Sequence, residues 1–230
     1  MAIAGPERNE NKEPISELTT ERLSIYLRCL NRLESMDEKT VSSHELARRF
    51  HLNSSQIRKD LAYFGEFGIR GVGYNVSRLK QHLRSTLGLD KMRNIIIAGA
   101  GNLGMALADY NGFHSNGFYI VALLETDPAK CDRASRSGIP VYPSARMAAI
   151  VRKHNVEIGI IAVPADNAQS VCDKMVEAGI CAVLNFAPVQ IRRRAGVKVK
   201  SVDLRINLES LSFYLTNAGT GICAEDDEEE

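Results

Sequence analysis

Asn94-Ile-Ile-Ile-Ala-Gly-Ala-Gly-Asn-Leu-Gly-Met-Ala-Leu-Ala-Asp-Tyr110 is the stretch from which the rest of the chain can be read. Ile95 to Ala98 is a short apolar, β-branched run, the pattern of a strand buried on both faces. It leads directly into Gly99, Ala100, Gly101, Asn102, Leu103 and Gly104, and then into a helical pattern from Leu103 to Tyr110. Glycines at these spacings allow a tight strand-to-helix turn, close approach of a pyrophosphate to backbone N–H groups, and close packing of helix on strand. The phosphates are expected at the helix N-terminus, where unpaired N–H groups and the helix dipole favour anions. A second strand, Phe118 to Leu124, ends at Glu125, which lies 21 residues beyond Gly104. A dinucleotide fold places there the carboxylate that receives hydrogen bonds from the adenosine ribose hydroxyls. A carboxylate at that point repels the extra phosphate of NADP, so NADH and NAD+ are the expected ligands.

The 230 residues suffice for one large domain or two modest ones, with an ordinary 44% apolar and 25% charged composition and a net charge of +1. No apolar run approaches the roughly 20 residues of a membrane span. Met1 to Pro14 is polar and lacks an apolar signal core, so a cytoplasmic protein is expected. Cys29, Cys131, Cys172, Cys181 and Cys223 are scattered without a C-x-x-C pair, which reads as reduced thiols rather than a metal site or disulfide framework. The near-neutral total hides a gradient: Lys39 to Gly88 holds nine Lys or Arg against three Asp or Glu, and Glu225 to Glu230 is wholly acidic. The basic segment points toward nucleic acid and the acidic end toward a solvated, disordered tail.

Upstream of the glycine stretch, residues 1–13 are polar and expected to be disordered. A helix should start near Thr19 or Thr20, with Leu23, Tyr26, Leu27 and Leu30 at helical spacing, and end before the polar turn Met36 to Thr40. Ser42 or Ser43 should cap a short helix over His44 to Phe50. After the turn His51-Leu-Asn53, a third helix over Ser55 to Phe64 turns Ile57, Leu61 and Phe64 inward and Gln56, Arg58, Lys59 and Tyr63 outward. Two short helices joined by a tight turn, the second basic outside, form a helix-turn-helix pattern over about 25–64. Gly65 to Val76 interleaves glycines with Ile69, Val72, Tyr74 and Val76, which suggests a β-hairpin over about 68–76 with Arg70 near its tip. A hairpin directly after a recognition helix is the wing of a winged-helix domain; a generic three-helix bundle with a glycine-rich linker is the alternative. Ser77 to Leu87 reads as a connecting helix stopped by Gly88.

From Asn94 on, strands and helices alternate, which argues for an α/β domain with a parallel sheet. Ile139 to Tyr142, Glu157 to Val163 and Ile180 to Phe186 read as strands, Ser144 to His154 and Asn167 to Ala178 as helices. Val197 to Leu204 alternates like an edge strand, and Asn207 to Leu215 as a final amphipathic helix. Ligands in such sheets lie beyond the carboxyl ends of the strands. That selects Gly99 to Gly104, Glu125, Pro164-Ala165, Asn185-Phe186-Ala187-Pro188 and the region of Asp203. The resulting domains are a winged helix over 1–88, a Rossmann-like domain over 89–206, a C-terminal helix over 207–218 and an acidic tail over 219–230.

No catalytic residue emerges. His114 and His154 are the histidines of the second domain, and neither stands at a strand C-terminus where a dehydrogenase needs its acid or base. There is no Tyr-x-x-x-Lys pair, no nucleophile elbow and no room for a separate substrate domain. A nucleotide module without evident chemistry, joined to a basic winged helix, reads most economically as a sensor.

Over about residues 14 to 218 the chain resembles the Rex family of redox-sensing transcriptional repressors. Ser55 to Gly65 with Gly68 to Tyr74 looks like the family's recognition helix and wing. Gly99 to Gly104 with Ala108-Asp-Tyr110 looks like its nucleotide loop, and Leu184-Asn-Phe-Ala-Pro188 and Val202-Asp-Leu204 match later motifs. The resemblance implies a homodimer that binds a palindromic double-stranded operator when NADH is scarce and releases it when NADH rises, without enzymatic turnover. The C-terminal helix would be exchanged between subunits. Ser55, Gln56, Arg58, Lys59, Tyr63, Arg70, Gly71 and Tyr74 would face DNA; Gly99 to Gly104, Tyr110, Glu125, Pro164 and Phe186 would face the nucleotide. Tyr110 matches a tyrosine near the nicotinamide, Asp203 a switch aspartate, and Arg28 the arginine that pairs with it between domains. Glu125 departs from the family, in which Asp is commoner there. The rivals are an NAD-dependent oxidoreductase with a regulatory N-terminal domain, a CoA-binding module, and a scaffold whose helix-turn-helix binds protein.

Overall fold

The computed structural model describes residues 15–65, 67–192 and 194–217. The chain divides into two compact units, Met1–Lys91 and Met92–Glu230. The division falls three residues later than the expected break at Gly88, directly before the first strand of the second unit.

In the first unit, α1 (Glu17–Ser35), β1 (Thr40–Val41), α2 (Ser43–Phe50), α3 (Ser54–Phe64), β2 (Gly68–Ile69), β3 (Gly73–Asn75) and α4 (Val76–Thr86) follow in order. Side-chain caps set the starts of all four helices. Ser16 accepts from Thr19 N, Ser42 from Glu45 N, Asn53 from Gln56 N and Asn75 from Arg78 N. These caps begin α1 and α3 slightly earlier than hydrophobic spacing alone suggests. Leu23, Tyr26, Leu30, Leu33, Leu46, Ile57, Leu61, Leu79 and Leu83 interlock in one core. The segment read as a polar turn is different: Thr40–Val41 forms β1 and pairs antiparallel with β3, Thr40 opposite Asn75 and Val41 opposite Tyr74. Together with the β2–β3 hairpin this makes a three-stranded sheet ordered β1-β3-β2. Helices and sheet in this order are the winged-helix arrangement.

The second unit is a six-stranded, wholly parallel sheet. Its strands are β4 (Arg93–Ala98), β5 (Phe118–Glu125), β6 (Val141–Pro143), β7 (Val156–Ile161), β8 (Ala182–Asn185) and β9 (Lys198–Ser201), with helices α5 (Asn102–Ala108), α6 (Met147–His154), α7 (Ala165–Glu177) and α8 (Leu204–Asn217). The spatial order β6-β5-β4-β7-β8-β9 places the first strand at the centre with the chain reversing beside it. That is the doubly wound nucleotide-binding topology, with its crevice at the carboxyl ends of β4 and β7. Alternate residues of β4 belong to different cores, Ile95 and Ile97 on one face, Ile96 and Ala98 on the other. A strand buried on both faces is what its uninterrupted apolar run requires.

Several boundaries differ from the sequence reading, most clearly around β6 and β9. The third strand starts at Val141 rather than Ile139, because Pro140 instead bridges antiparallel to Ala134. The alternation through Leu204 stops as a strand at Ser201, and α8 begins at Leu204 rather than Asn207. Asp203 causes that early start: its Oδ1 accepts from Arg205 N at 2.9 Å, capping the first turn. Residues 1–13, the tail from 219 and Cys223 lie outside the described residues. No described helix is long and apolar enough to cross a membrane.

Candidate nucleotide and nucleic-acid sites

The glycine turn after β4 is stitched into the sheet on both sides. Gly99 N donates to Leu124 O and Ala162 N to Ala98 O, each at 2.8 Å. The three glycines have different reasons to lack a side chain. Gly99 sits at φ +104°, and a Cβ there would strike the Ala162 carbonyl. A Cβ on Gly104 would overlap the Gly99 carbonyl oxygen and touch Ile97 Cγ2 at 3.5 Å, so helix and strand approach closely only without one. Gly101 is unlike both: its backbone is extended, and a Cβ would meet nothing within 4 Å. The chain's own packing does not demand glycine at 101, whereas a phosphate lying on that face would. The loop residues therefore fit a dinucleotide pyrophosphate.

Glu125 ends β5 facing this loop. Its Oε2 accepts from Ala100 N at 3.0 Å, while Oε1 accepts from Thr126 N at 2.7 Å and Asp127 N at 3.2 Å. Burial pushes its carboxyl up. The N–H groups of Asp127, Ala100 and Thr126, with the Thr126 hydroxyl, outweigh that and hold it below the usual range. Glu125 is thus an anion tied to the glycine loop, and Oε2 retains acceptor capacity for a ribose hydroxyl. The longer side chain reaches back to the loop as well as outward.

Asn102 begins α5, Leu103 is 43% exposed and Pro164 stands in front of α7. The helix expected to run through Tyr110 ends at Ala108. Asp109 turns away from it, its carboxylate accepting from Ser137 N at 2.8 Å and Arg136 N at 3.3 Å. Tyr110 is 59% exposed, edge-on to Phe113 with ring centroids 5.0 Å apart, and its ring lies where Gly112 leaves space. Phe186 is half-buried against the core that contains Ile97 and Ile160. Asn185 is a structural residue rather than a ligand contact. Fully buried, it donates to Ala187 O and Val189 O and accepts from Ala187 N, which folds the segment after β8. Asp203 is engaged with its own helix, and the Arg205 side chain and backbone N–H hold its carboxyl below the usual range. Arg28 is exposed on α1.

In the first unit, Ser55, Arg58 and Lys59 are exposed on α3 and Arg70 on the hairpin turn. Gly71 follows at φ +82° with nothing near its missing Cβ, so the turn itself requires glycine there. Arg58 is braced from both sides, Nη1 donating to Ser43 Oγ and Nη2 to Ser55 Oγ at 3.1 Å each. Arg58, Ser42, Ser43 and the hairpin, including Arg70 and Tyr74, line a cleft of about 480 Å³. Two of the residues read as outward are partly covered. Tyr63 is half-buried and packs edge-on to Phe64 at 5.0 Å. Gln56 is half-buried too, and its Nε2 donates to Asp60 Oδ1 at 2.7 Å.

Asp60 escaped the sequence reading. It is 4% exposed and accepts four hydrogen bonds. Arg22 Nε and Tyr26 Oη donate to Oδ2 at 2.6 and 2.9 Å; Arg22 Nη2 and Gln56 Nε2 donate to Oδ1 at 2.8 and 2.7 Å. Burial opposes its charge, but the Arg22, Gln56 and Tyr26 hydrogen bonds hold its carboxyl below the usual range. Burial and the bond to Asp60 push the Tyr26 hydroxyl up. Among the described residues no group of three His, Cys, Asp or Glu could hold a metal ion.

Residues 14–62 match the family model described as "Putative DNA-binding protein N-terminus", and residues 90–189 the model described as "CoA binding domain". The chain is 48% identical over 201 residues to a redox-sensing transcriptional repressor Rex of Pelotomaculum thermopropionicum, covering 87% of this chain and 94% of that one. It is 43% identical over 203 residues to a redox-sensing transcriptional repressor Rex 1 of Thermotoga maritima, covering 88% and 97%. A crystal structure of RSP in complex with β-NAD+ and operator DNA superposes with a TM-score of 0.85 at 36% identity, over 93% of this chain and all of that one. RSP in complex with β-NADH superposes with a TM-score of 0.80 at 36% identity, over 91% and 97%.

Proposed function

Because the chain belongs to the Rex family of redox-sensing transcriptional repressors, we propose that it binds a palindromic operator as a homodimer and leaves it when NADH accumulates. It acts in the cytoplasm and performs no chemistry on the nucleotide. The observation that carries this reading is the pairing, in one chain, of a braced basic recognition helix with a glycine loop whose Gly101 leaves room for a ligand. The CoA-binding alternative is not favoured: the sheet unit is shared, but the relatives matching nearly nine-tenths of the chain are repressors.

Gly99 to Gly104 hold the pyrophosphate through backbone N–H groups, and Glu125 receives the adenosine ribose and rejects a 2′-phosphate. Tyr110, exposed after α5, is the aromatic residue that the family resemblance brings to the nicotinamide, and Phe186 offers an apolar face beyond the end of β8. Burying a positive ring against it costs more than burying a neutral one. The redox state of the nicotinamide is thus read as a charge, and operator affinity shifts only by the differential affinity of the two protein states for the two ligands. Arg58, Lys59 and Arg70 supply the cationic contacts to DNA. Asp203 stands with Arg205 as its local partner at the start of α8.

α8 is the dimer element. Leu204, Leu208, Leu211 and Leu215 recur along it at 58–81% exposure, and an apolar stripe of that size marks an interface. Leu211→Asp is expected to convert the dimer to monomers in sedimentation and to weaken operator binding at least tenfold. A dimer unaffected by this change would move the interface elsewhere.

The whole reading is tested by binding to a palindromic A/T-rich promoter fragment at fixed salt, with NADH, NAD+ and CoA added separately. Release by NADH, far less by NAD+ and not by CoA, is expected. Tight binding indifferent to all three would leave a DNA-binding protein and remove the sensor.

A further inference from the structure

We infer that Asn111 is a site of spontaneous covalent modification, at which the Gly112 amide nitrogen displaces ammonia from the side chain and closes a cyclic imide. The same tripeptide at Asn116 is held back by its hydrogen bonds. The inference concerns the chain's own chemistry and does not depend on the sensor reading.

Asn111-Gly112-Phe113 and Asn116-Gly117-Phe118 repeat the same three residues in the connection between α5 and β5. Asparagine before glycine is labile because no Cβ on the second residue shields its nitrogen. On losing its proton to hydroxide, the Gly112 nitrogen attacks Asn111 Cγ. The Cγ–Nδ2 bond breaks, and the leaving nitrogen takes up a proton and departs as ammonia. Water then opens the imide. Attack at Cγ gives aspartate; attack at the backbone carbonyl gives isoaspartate, with the chain running on through Cγ. Nothing is oxidised or reduced.

Both asparagines are exposed, so access to water does not tell them apart. Hydrogen bonding does. Asn116 closes a single tight helical turn, His114–Asn116. Its Nδ2 donates to Gly112 O at 2.9 Å, and the nitrogen that would attack it, Gly117 N, donates to His114 O at 3.1 Å. Leaving group and nucleophile are both tied. At Asn111 neither the carboxamide nor Gly112 N has a hydrogen-bond partner among the described residues. The Ser115 hydroxyl donates to the Asn111 backbone carbonyl oxygen at 3.4 Å, which engages neither reacting nitrogen.

The modification falls under an aromatic contact. The Tyr110 ring lies across Gly112, so close that a Cβ there would be 2.5 Å from three of its atoms, and it stands edge-on to Phe113. Aspartate at 111 places a negative charge beside this ring. Isoaspartate also routes the main chain through an extra carbon between Tyr110 and Gly112, which moves the ring off its seat.

The experiment ages the full-length protein at fixed temperature, folded and, in parallel, unfolded in urea. Chymotryptic cleavage after Phe113 and Phe118 puts the two asparagines on separate peptides, and mass spectrometry follows each conversion. In the folded protein Asn111 should react about 30-fold faster than Asn116, the factor for opening two hydrogen bonds before reaction. In urea the two rates should converge, since the tripeptide is shared. Both products should appear at 111, at a rate that rises with pH as the attacking nitrogen loses its proton. Equal rates in the folded protein, or an Asn111 that stays intact there, would overturn the inference. A preference that persists in urea would overturn it too, by assigning the difference to neighbouring sequence rather than to structure. A rate indifferent to pH would remove the imide route.

Discussion

Gly101→Ala should leave the sheet unit as stable as the parent and weaken NADH binding by about 30-fold, whereas Gly104→Ala should destabilise that unit by about 3 kcal/mol. The two changes add the same methyl group three residues apart in one loop, and the surroundings decide the difference. At 101 the backbone is at φ −77° and ψ −172°, extended geometry that any residue adopts, and the new Cβ meets no protein atom within 4 Å. Only a ligand against the loop is displaced. Losing one charge-assisted hydrogen bond between backbone N–H and phosphate costs about 2 kcal/mol, and that sets the factor. At 104 the Cβ would overlap the Gly99 carbonyl oxygen, so helix and strand must part and a packed core is disrupted. Urea unfolding followed by strand-amide protection separates the variants, and NADH titration of the folded ones supplies the second axis. Gly101→Ala with parental NADH affinity would remove the pyrophosphate from this loop; Gly104→Ala with parental stability would refute the contact.

These contrasts also explain which parts of the molecule were legible in the chain. The glycine loop was, because its demands are local: a turn, a close approach and a helix start all fall within six residues of sequence. Glu125 was legible from its distance along the chain, but its hold on Ala100 N was not, since that depends on how far a side chain folds back across the strand ends. The short β1 was lost because Thr40 and Val41 find their partners at Asn75 and Tyr74, and two residues show no periodicity. The strand ending in Ser201 reads on to Leu204 and the helix from Leu204 reads as starting at Asn207, because alternation continues through Val202 and only the capping by Asp203 marks the boundary. Asp60 was the largest omission. In the sequence it is one acidic residue beside Arg58 and Lys59 on a polar helix face, which reads as solvated. What buries it is Arg22, 38 residues earlier, on a helix whose angle to α3 the sequence does not encode locally.

Asp60→Ala should accordingly be among the most damaging single changes in the winged-helix unit, costing about 3 kcal/mol. Removing one partner of a buried pair leaves the other charged and unpaired, typically a loss of about 3–5 kcal/mol. Arg22 keeps 29% of its side chain in contact with solvent, which favours the lower figure. The hydroxyl of Tyr26 loses its acceptor at the same time. The sign with pH follows from the depressed Asp60 carboxyl. A group whose folded pKa lies below its unfolded value of about 3.9 contributes its full stabilisation above that value and loses it as pH falls through the folded pKa. The stability gap between parent and variant should therefore be constant near neutrality and narrow only below about pH 4. Hydrogen exchange of the α1 and α3 amides reads this gap in the unit concerned, independently of the nucleotide domain. A gap that persists at full size in acid would mean that the methyl-for-carboxylate change acts through packing. A gap that closes near pH 6 would remove the Asp60 carboxyl's own titration as the cause.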